Sequence, residues 1–323
     1  MKIAVCVPTI RQDKFRDEFL PAWDEVFKRH EVEVFACHDG ETPEVIRLEY
    51  DTYDGLADPI PSVVDISAVK PVLFNRSDVC RNAAFYAAKK TMDPDIYISL
   101  DDDVTPWNGN DPIQEHLDVL AMSVKIDWIN TSYTYRMRGL PYEQKEYPVL
   151  LSHGVWKGVP DFDAITQIQN PAVRDISFPR NPVPRGIFIP ISAMNFAFRR
   201  EVLPYAYQAP MGQRLATEFG LSQYDRFGDI WAGVVMKYAI DTILGGAVVT
   251  GYSTVYHDRA SDVYTNLRKE AVGMELNEVF YTYMDFFFDP VWSGLSLRPS
   301  DGIDANYIEL YRKKLSEWQK LIQ

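Results

Sequence analysis

Tyr97-Ile98-Ser99-Leu100-Asp101-Asp102-Asp103-Val104 is the stretch on which the reading of this chain turns. Apolar Ile98 and Leu100 mark a short buried strand, and three carboxylates follow at its end. In an open α/β sheet ligands bind beyond the carboxyl ends of the strands, so these acids stand where a substrate would sit. Two carboxylates about 5 Å apart repel by roughly 3 kcal/mol at an effective dielectric near 20. Three in a row therefore need water or a shared cation. Oxygen ligands suit Mg²⁺ or Mn²⁺, and Mg²⁺ commonly takes one or two carboxylates plus substrate phosphates. Two readings stay open from these residues alone. One is an Asp-x-Asp pair, Asp101 and Asp103, binding a metal–diphosphate; the other is a solvated acidic turn.

Composition narrows the choice. The chain has 323 residues, 46% of them apolar, enough for a large core and against wholesale disorder. Its net charge of −13 argues against nucleic-acid binding, which needs a basic face, and makes an anionic ligand awkward unless a cation mediates. Cys6, Cys37 and Cys80 form no CxxC pair and read as buried, reduced thiols. The start of the chain is too short in apolar residues for a signal peptide, and no run approaches the ~18 of a membrane span. A soluble, cytoplasmic protein is the expectation.

Before the acidic strand, residues 2–7 read as a fully buried strand ended by Pro8. Phe15, Phe19, Trp23, Val26 and Phe27 then recur at helical spacing, and Val32, Val34 and Ala36 form a second strand closed by His38-Asp39-Gly40. Strand, helix and strand in that order imply a right-handed parallel unit, with the tip of the first strand and Asp39 on one ligand-facing edge. Residues 41–69 are acidic with weak periodicity and read as irregular. A helix over 75–90 carries Arg81, which pairs with a phosphate, with the acidic cluster, or with a purely structural partner.

After the acids, Asp111, Pro112 and Gln114 read as N-cap, N1 proline and capping-box glutamine of a helix to about Ser123, and 126–129 as a further strand. Residues 135–148 form a loop with Arg136, Arg138 and Lys145, either a phosphate or sugar contact or a solvated loop. Ser152 and His153 suggest a hydrolase triad, but neighbours on a strand point to opposite faces, which excludes nucleophilic serine chemistry between them. Apolar strand material spans 187–198, and a helix runs from about Ile230 to Leu244. Asp229 stands at its start, as a capping acid or a second active-site carboxylate. Strands at 248–249 and 254–256 follow, and His257 at the end of the second is a candidate third metal ligand. The tail repeats Ile308, Tyr311, Leu315, Trp318 and Ile322 at helical spacing, a helix for the body or for another subunit.

In order along the chain, Val7-Pro8-Thr9-Ile10-Arg11, Asp39-Gly40, Asp101-Asp102-Asp103, Arg138-Gly139-Leu140-Pro141 and Ser152-His153-Gly154-Val155-Trp156 form a series. It continues through 159–167, Met194-Asn195-Phe196-Ala197-Phe198, Asp229-Ile230-Trp231-Ala232-Gly233, 256–261 and 266–270. The series resembles the reversibly glycosylated polypeptide family, whose plant members are UDP-arabinopyranose mutases. The resemblance implies an α/β, GT-A-like (Rossmann-like) nucleotide-sugar-binding fold with a mixed sheet: residues 1–260 as catalytic domain, 261–323 as a C-terminal helical extension packed on it.

It further implies a UDP-sugar substrate and Mn²⁺ or Mg²⁺ on its diphosphate; with the acidic charge, a homo-oligomer without nucleic-acid partners is the expectation. Asp101 and Asp103 match the metal motif, with His257 as their partner. Pro8, Thr9, Arg11, Asp39, Arg81, Asp101 and Asp102 would line the nucleotide. Arg138 matches the arginine that becomes reversibly glycosylated. Lys145 stands where the family has a second arginine, keeping the charge and losing the planar fork. Gly228-Asp229 replaces two consecutive acids. The expected activity is a UDP-sugar mutase interconverting pyranose and furanose forms through Arg138, with Asp229 and Lys145 assisting. The alternative is a metal-dependent glycosyltransferase acting on an outside acceptor.

Overall fold

The computed structural model describes residues 1–50, 60–74, 77–132, 134–258, 261–288 and 304–323. Among the described residues eleven strands make one mixed sheet in the order β4-β3-β2-β1-β5-β10-β8-β11-β6, with β7 paired to β8 and β9 to β11. Its centre is β1 (Ile3–Thr9), parallel to both β2 (Glu33–His38) and β5 (Ile96–Leu100). All three read as near-continuous apolar runs because helices cover both faces. Pro8 sits inside β1, past the last residue paired with β5, where its missing N–H costs the ladder little.

The helix between β1 and β2 opens with a π-turn (Phe15–Phe19) and continues as α1 (Leu20–His30). Trp23 is fully buried and donates its indole N–H to the Val104 carbonyl at 2.8 Å, tying α1 to β6 (Val104–Pro106). The expected parallel unit is present. The acid-rich segment 41–69, expected to be irregular, instead holds β3 (Glu44–Glu49) and β4 (Ile60–Val64), antiparallel additions to the sheet edge. The charges Glu44, Arg47 and Glu49 sit on half-exposed positions of β3 and blur the alternation; residues 51–59 lie outside the described residues.

A short 3₁₀ turn (Asp78–Cys80) leads into α2 (Arg81–Thr91), so the expected helix starts late; Asn75 is not described. After β6, Asp111 caps α3 (Pro112–Leu120) as expected, accepting from the Gln114 N–H at 3.0 Å. The strand expected at 126–129 is absent. Ser123–Val124 (β7) takes the place beside β8 (Tyr147–Gly158), while Trp128 and Ile129 stay exposed.

Of 187–198, only β10 (Asn195–Arg199) is strand, because Pro190 interrupts the earlier part; β9 (Asn181–Val183) lies before it. Next, α4 (Gly228–Ala239) passes into a π-turn (Ile240–Leu244) that Gly245 ends with φ +64°. The two strands expected near 248 and 255 are one, β11 (Ala247–His257), broken in register between Thr250 and Thr254 where Gly251 adopts φ +93°.

Helices α1 and α3 bury one apolar cluster on one face of the sheet; α2 and α4 bury another on the opposite face. The tail helix, α6 (Ala305–Ile322), follows α5 (Val263–Glu270) and joins that second cluster. Trp318 donates to Leu203 O, Tyr311 to Tyr207 O and Tyr307 to Pro210 O, each at 3.0 Å. The three cysteines are free and buried, as expected. Among the described residues no helix is long and apolar enough to cross a membrane.

Candidate functional site at the carboxyl edge of the sheet

Pairing sets the direction of every strand. β1, β2, β5, β8 and β11 point one way, and β10 and β6 the other. Their common edge therefore collects Thr9, Asp39, the 101–103 acids, Gly158, Asn195 and His257.

The acids are already neutralised in part by the chain's own cations. Arg81, only 1% exposed, forms an ion pair with Asp101 from the first turn of α2. Arg11, just past β1, grips Asp102 and reaches Asp103 Oδ2 at 3.1 Å. Thr9 donates its hydroxyl to Asp102 Oδ2 at 2.5 Å and accepts the Arg11 amide at 3.0 Å. Asp39 hangs from the same rim, its amide donating to Thr9 O at 2.9 Å. Arg81 was expected to meet a phosphate, the acidic cluster or a structural partner; it meets the cluster.

His257 Nδ1 donates to Val159 O at 2.9 Å, which fixes the tautomer and leaves Nε2 as an acceptor 3.9 Å from Asp103 Oδ1. That is the arrangement of a metal-ligating imidazole oriented by a carbonyl behind it. Among the described residues, however, no three His, Cys, Asp or Glu side chains converge closely enough to hold an ion by themselves. Asp101, expected as a ligand beside Asp103, is turned to Arg81. The donor set thus fits a hard divalent ion with two protein ligands, Asp103 and His257, and the rest from phosphate and water.

Two further carboxylates face the same space. Asp229, at the first turn of α4, accepts from the Ala193 N–H at 2.8 Å and from Ile230 N–H at 2.9 Å. Asp161 accepts the Ser192 hydroxyl at 3.1 Å and lies 4.0 Å from Arg226, whose Nε donates to Glu270 at 2.8 Å. Burial raises the Asp101 carboxyl above its ordinary range; Arg81 opposes this and Asp103, Asp102 and Asp229 reinforce it. Burial raises Asp229 too, against the Ala193 amide and with Asp161 adding. Asp161 is likewise raised by burial, with Arg226 opposing. No spacing in the sequence marks Asp161 as a site residue. Its signal was negative: Asp163 takes the cap of the following helix by accepting from Thr166 N–H at 3.0 Å, leaving Asp161 without a local role.

Ser152 and His153 do part company, as their neighbouring positions require. His153 bonds Thr250 Oγ1 at 2.9 Å, while Ser152 meets His116 of α3 at 2.8 Å, and His116 meets Asn195 Oδ1 at 2.8 Å. This Ser–His–Asn chain is closed to solvent, and burial pulls His116 down to about 4. It pins α3 to the sheet and has no route to substrate.

Arg138 and Lys145 are not at this edge. They lie on the loop between β7 and β8, which leaves and rejoins the sheet at the opposite end of β8. Arg138 is exposed; Lys145 rests over the Tyr147 ring at 4.6 Å. The loop is folded on itself: Asn130 donates to the carbonyls of Ser132 and Tyr135 and accepts from Met137 N–H, and Arg136 donates to Leu140 O.

Fold and site define an α/β protein that presents carboxylates, two arginines and an oriented histidine beyond the carboxyl ends of a mixed sheet. The family model described as "Reversibly glycosylated polypeptide" matches residues 1–313, and the chain belongs to that family. It is 28% identical over 291 residues to a protein of Pisum sativum named probable UDP-arabinopyranose mutase 1, covering 84% of this chain and 74% of that one. It is 27% identical over 291 residues to UDP-arabinopyranose mutase 3 of Arabidopsis thaliana, covering 84% and 75%. The enzymes that bear this name are isomerases. Among solved structures it resembles glucosyl-3-phosphoglycerate synthase of Mycobacterium tuberculosis, a complex with Mn²⁺, UDP-glucose and phosphoglyceric acid. The TM-score is 0.44 and the identity 11%, covering 86% of this chain and 79% of that one.

Proposed function

We propose that this chain is a UDP-sugar mutase that interconverts the pyranose and furanose forms of a UDP-sugar through reversible glycosylation of Arg138. Family membership supports the class of reaction. The observation that carries the site is the joint placement of Arg11, Arg81, Asp103 and His257 at one sheet edge. Pro8, Thr9, Arg11 and Asp39 would line the nucleoside. Arg81 and Arg11 would meet the diphosphate as each carries donors beyond those its acids use; Arg81 Nε and Nη1 are buried without a partner among the described residues. Asp103 and His257 would hold Mn²⁺ or Mg²⁺, which supplies positive charge to the leaving diphosphate when bound. Asp101 and Asp102 act by holding the two arginines in place.

Breaking the glycosyl bond builds oxocarbenium character, which nearby carboxylates stabilise. Asp229 and Asp161, raised by burial above the ordinary carboxyl range, hold a proton more readily than a solvated carboxylate does, which suits them to proton transfer beside the sugar. An arginine nucleophile needs such help, since deprotonating a guanidinium at pH 7 costs roughly 7 kcal/mol or more. Lys145 lies over Tyr147 and would act only through the loop that carries Arg138.

Product analysis by NMR after incubation with single UDP-sugars, with and without Mn²⁺, tests the reading. The expected result is the furanose nucleotide from UDP-arabinopyranose alone. Slow hydrolysis as the sole outcome, with transfer once an acceptor is added, would replace the mutase by a glycosyltransferase. Arg138→Ala is expected to lose both interconversion and sugar label on the protein; full interconversion by that variant would remove the covalent role.

A further inference from the structure

Within one chain, the proposed nucleophile and the carboxylate edge are at opposite ends of β8. From Tyr147 to Gly158 that strand spans about 36 Å at ~3.3 Å per residue. The arm from Arg138 back to Tyr147 reaches at most about 30 Å when fully extended. Delivering Arg138 to its own cleft would therefore require the whole self-bonded loop to open and lie along the sheet.

The same loop is built like a docking surface. Trp128 is 53% exposed, Ile129 75%, Tyr135 75%, Met137 47% and Tyr142 89%. Such a group of apolar side chains on one loop marks a contact site rather than the scatter normal for a soluble surface. The tip 135–142 carries Arg136 and Arg138 and no acid, in a chain of net charge −13. Arg136 stacks on Tyr142 at 4.2 Å, so the cation and the ring are presented together. The surface of matching sign is the carboxylate edge, where Asp101, Asp102, Asp103, Asp161 and Asp229 outnumber the arginines. Ile10, 76% exposed at its rim beside Arg11, offers an apolar contact.

From the opposed edges, the apolar tip and the complementary charge, we infer that the 128–145 loop of one copy docks at the carboxylate edge of a second copy, so that Arg138 acts in trans. The inference rests on the mutase reading for its chemistry. The C1–O bond to the β-phosphate breaks with its electron pair leaving on UDP. An Nη of the second copy's Arg138 forms the C1–N bond, and its proton passes to a cleft carboxylate, Asp229 or Asp161. While the sugar is held on nitrogen the C1–O5 bond breaks, O5 taking a proton and the nitrogen lone pair supporting C1. The 4-hydroxyl then closes on C1 and gives up its proton, and UDP displaces the guanidine, which takes its own proton back.

Two differently tagged chains, Arg138→Ala and Asp103→Asn, are co-expressed, and the assembly holding both is isolated through both tags. Radiolabelled UDP-arabinopyranose is then supplied. The first variant keeps its carboxylates and lacks the acceptor; the second keeps the acceptor. Label confined to the Asp103→Asn chain, and restored interconversion at up to half the wild-type rate, is expected. Wild type labelled while the mixed assembly carries no label, or no mixed assembly at all, would overturn the inference. Docking has its own readout, independent of turnover: mild oxidation of a mixture of Ile10→Cys and Tyr142→Cys chains is expected to give a disulfide-linked pair of unlike chains, because the native cysteines are buried. Absence of that product also overturns the inference. Unlabelled wild type with the cross-link present would fault the mutase chemistry and leave the docking standing.

Discussion

Arg81 illustrates how one side chain decides whether an acidic cluster can exist. It is 1% exposed, and Asp101 keeps 34% of its side-chain surface in contact with solvent. Removing the guanidinium leaves that carboxylate facing Asp103, Asp102 and Asp229 without its own ion-pair partner, the remaining cation, Arg11, being held by Asp102 and Asp103. Arg81→Met is therefore expected to cost about 2 kcal/mol at pH 7, less than a fully buried pair because Asp101 is partly solvated. The pH dependence has a definite sign. The carboxyl is raised in the folded state, so the fold takes up the proton before the unfolded chain does as pH falls. The deficit is present at neutral pH and shrinks as pH drops through the raised value toward the ordinary carboxylate range. Urea denaturation of variant and wild type at pH 7 and pH 5 measures it; a deficit that grows at pH 5 would contradict the assignment.

Elements differ in how openly the sequence announces them. The β1–α1–β2 unit, the capped start of α3 and the tail helix were readable because apolar spacing and capping residues are local signals. The outer strands β3 and β4 were not, since Glu44, Arg47 and Glu49 stand among the apolar positions of a half-exposed β3. Residues 126–129 misled the reading in the opposite sense. Ile126 is buried, but Trp128 and Ile129 belong to exposed surface, and the sheet position went to Ser123–Val124. The irregularity in β11 has a testable cost. Gly251 holds φ +93°, and a Cβ added there would run into the Pro179 carbonyl. Gly251→Ala is expected to destabilise the fold by about 3 kcal/mol or more, from backbone strain and collision together, seen as a lower thermal midpoint. An unchanged midpoint would mean that the bulge is not as tight as it stands.

At the scale of the molecule, one core unites the sheet and the tail. Trp318 is fully buried against Tyr207, ring centroids 5.8 Å apart, and its N–H is satisfied by Leu203 O. Trp318→Ala is expected to lose about 3–5 kcal/mol, read as a lower urea midpoint at unchanged slope. The site was legible only in part for a reason that also belongs to this scale. Strand ends can be placed from a sequence, so Asp101, Asp103, Asp39 and His257 fell on one rim in advance. Distance along β8 cannot, and Arg138 therefore came out at the other end of the strand that leads into the cleft. Asp161 and Arg226 come together through tertiary packing, with no spacing that would have paired them.

The self-bonded loop of Arg136, Arg138 and Lys145 is the exposed basic stretch where trypsin would be expected to cut first. A nick there severs no ladder hydrogen bond, so both fragments should remain associated and migrate as one particle until denatured. If copies truly cover that tip for one another, dilution alone should quicken the cleavage. Nothing else about the chain would have to change for the protease to report it.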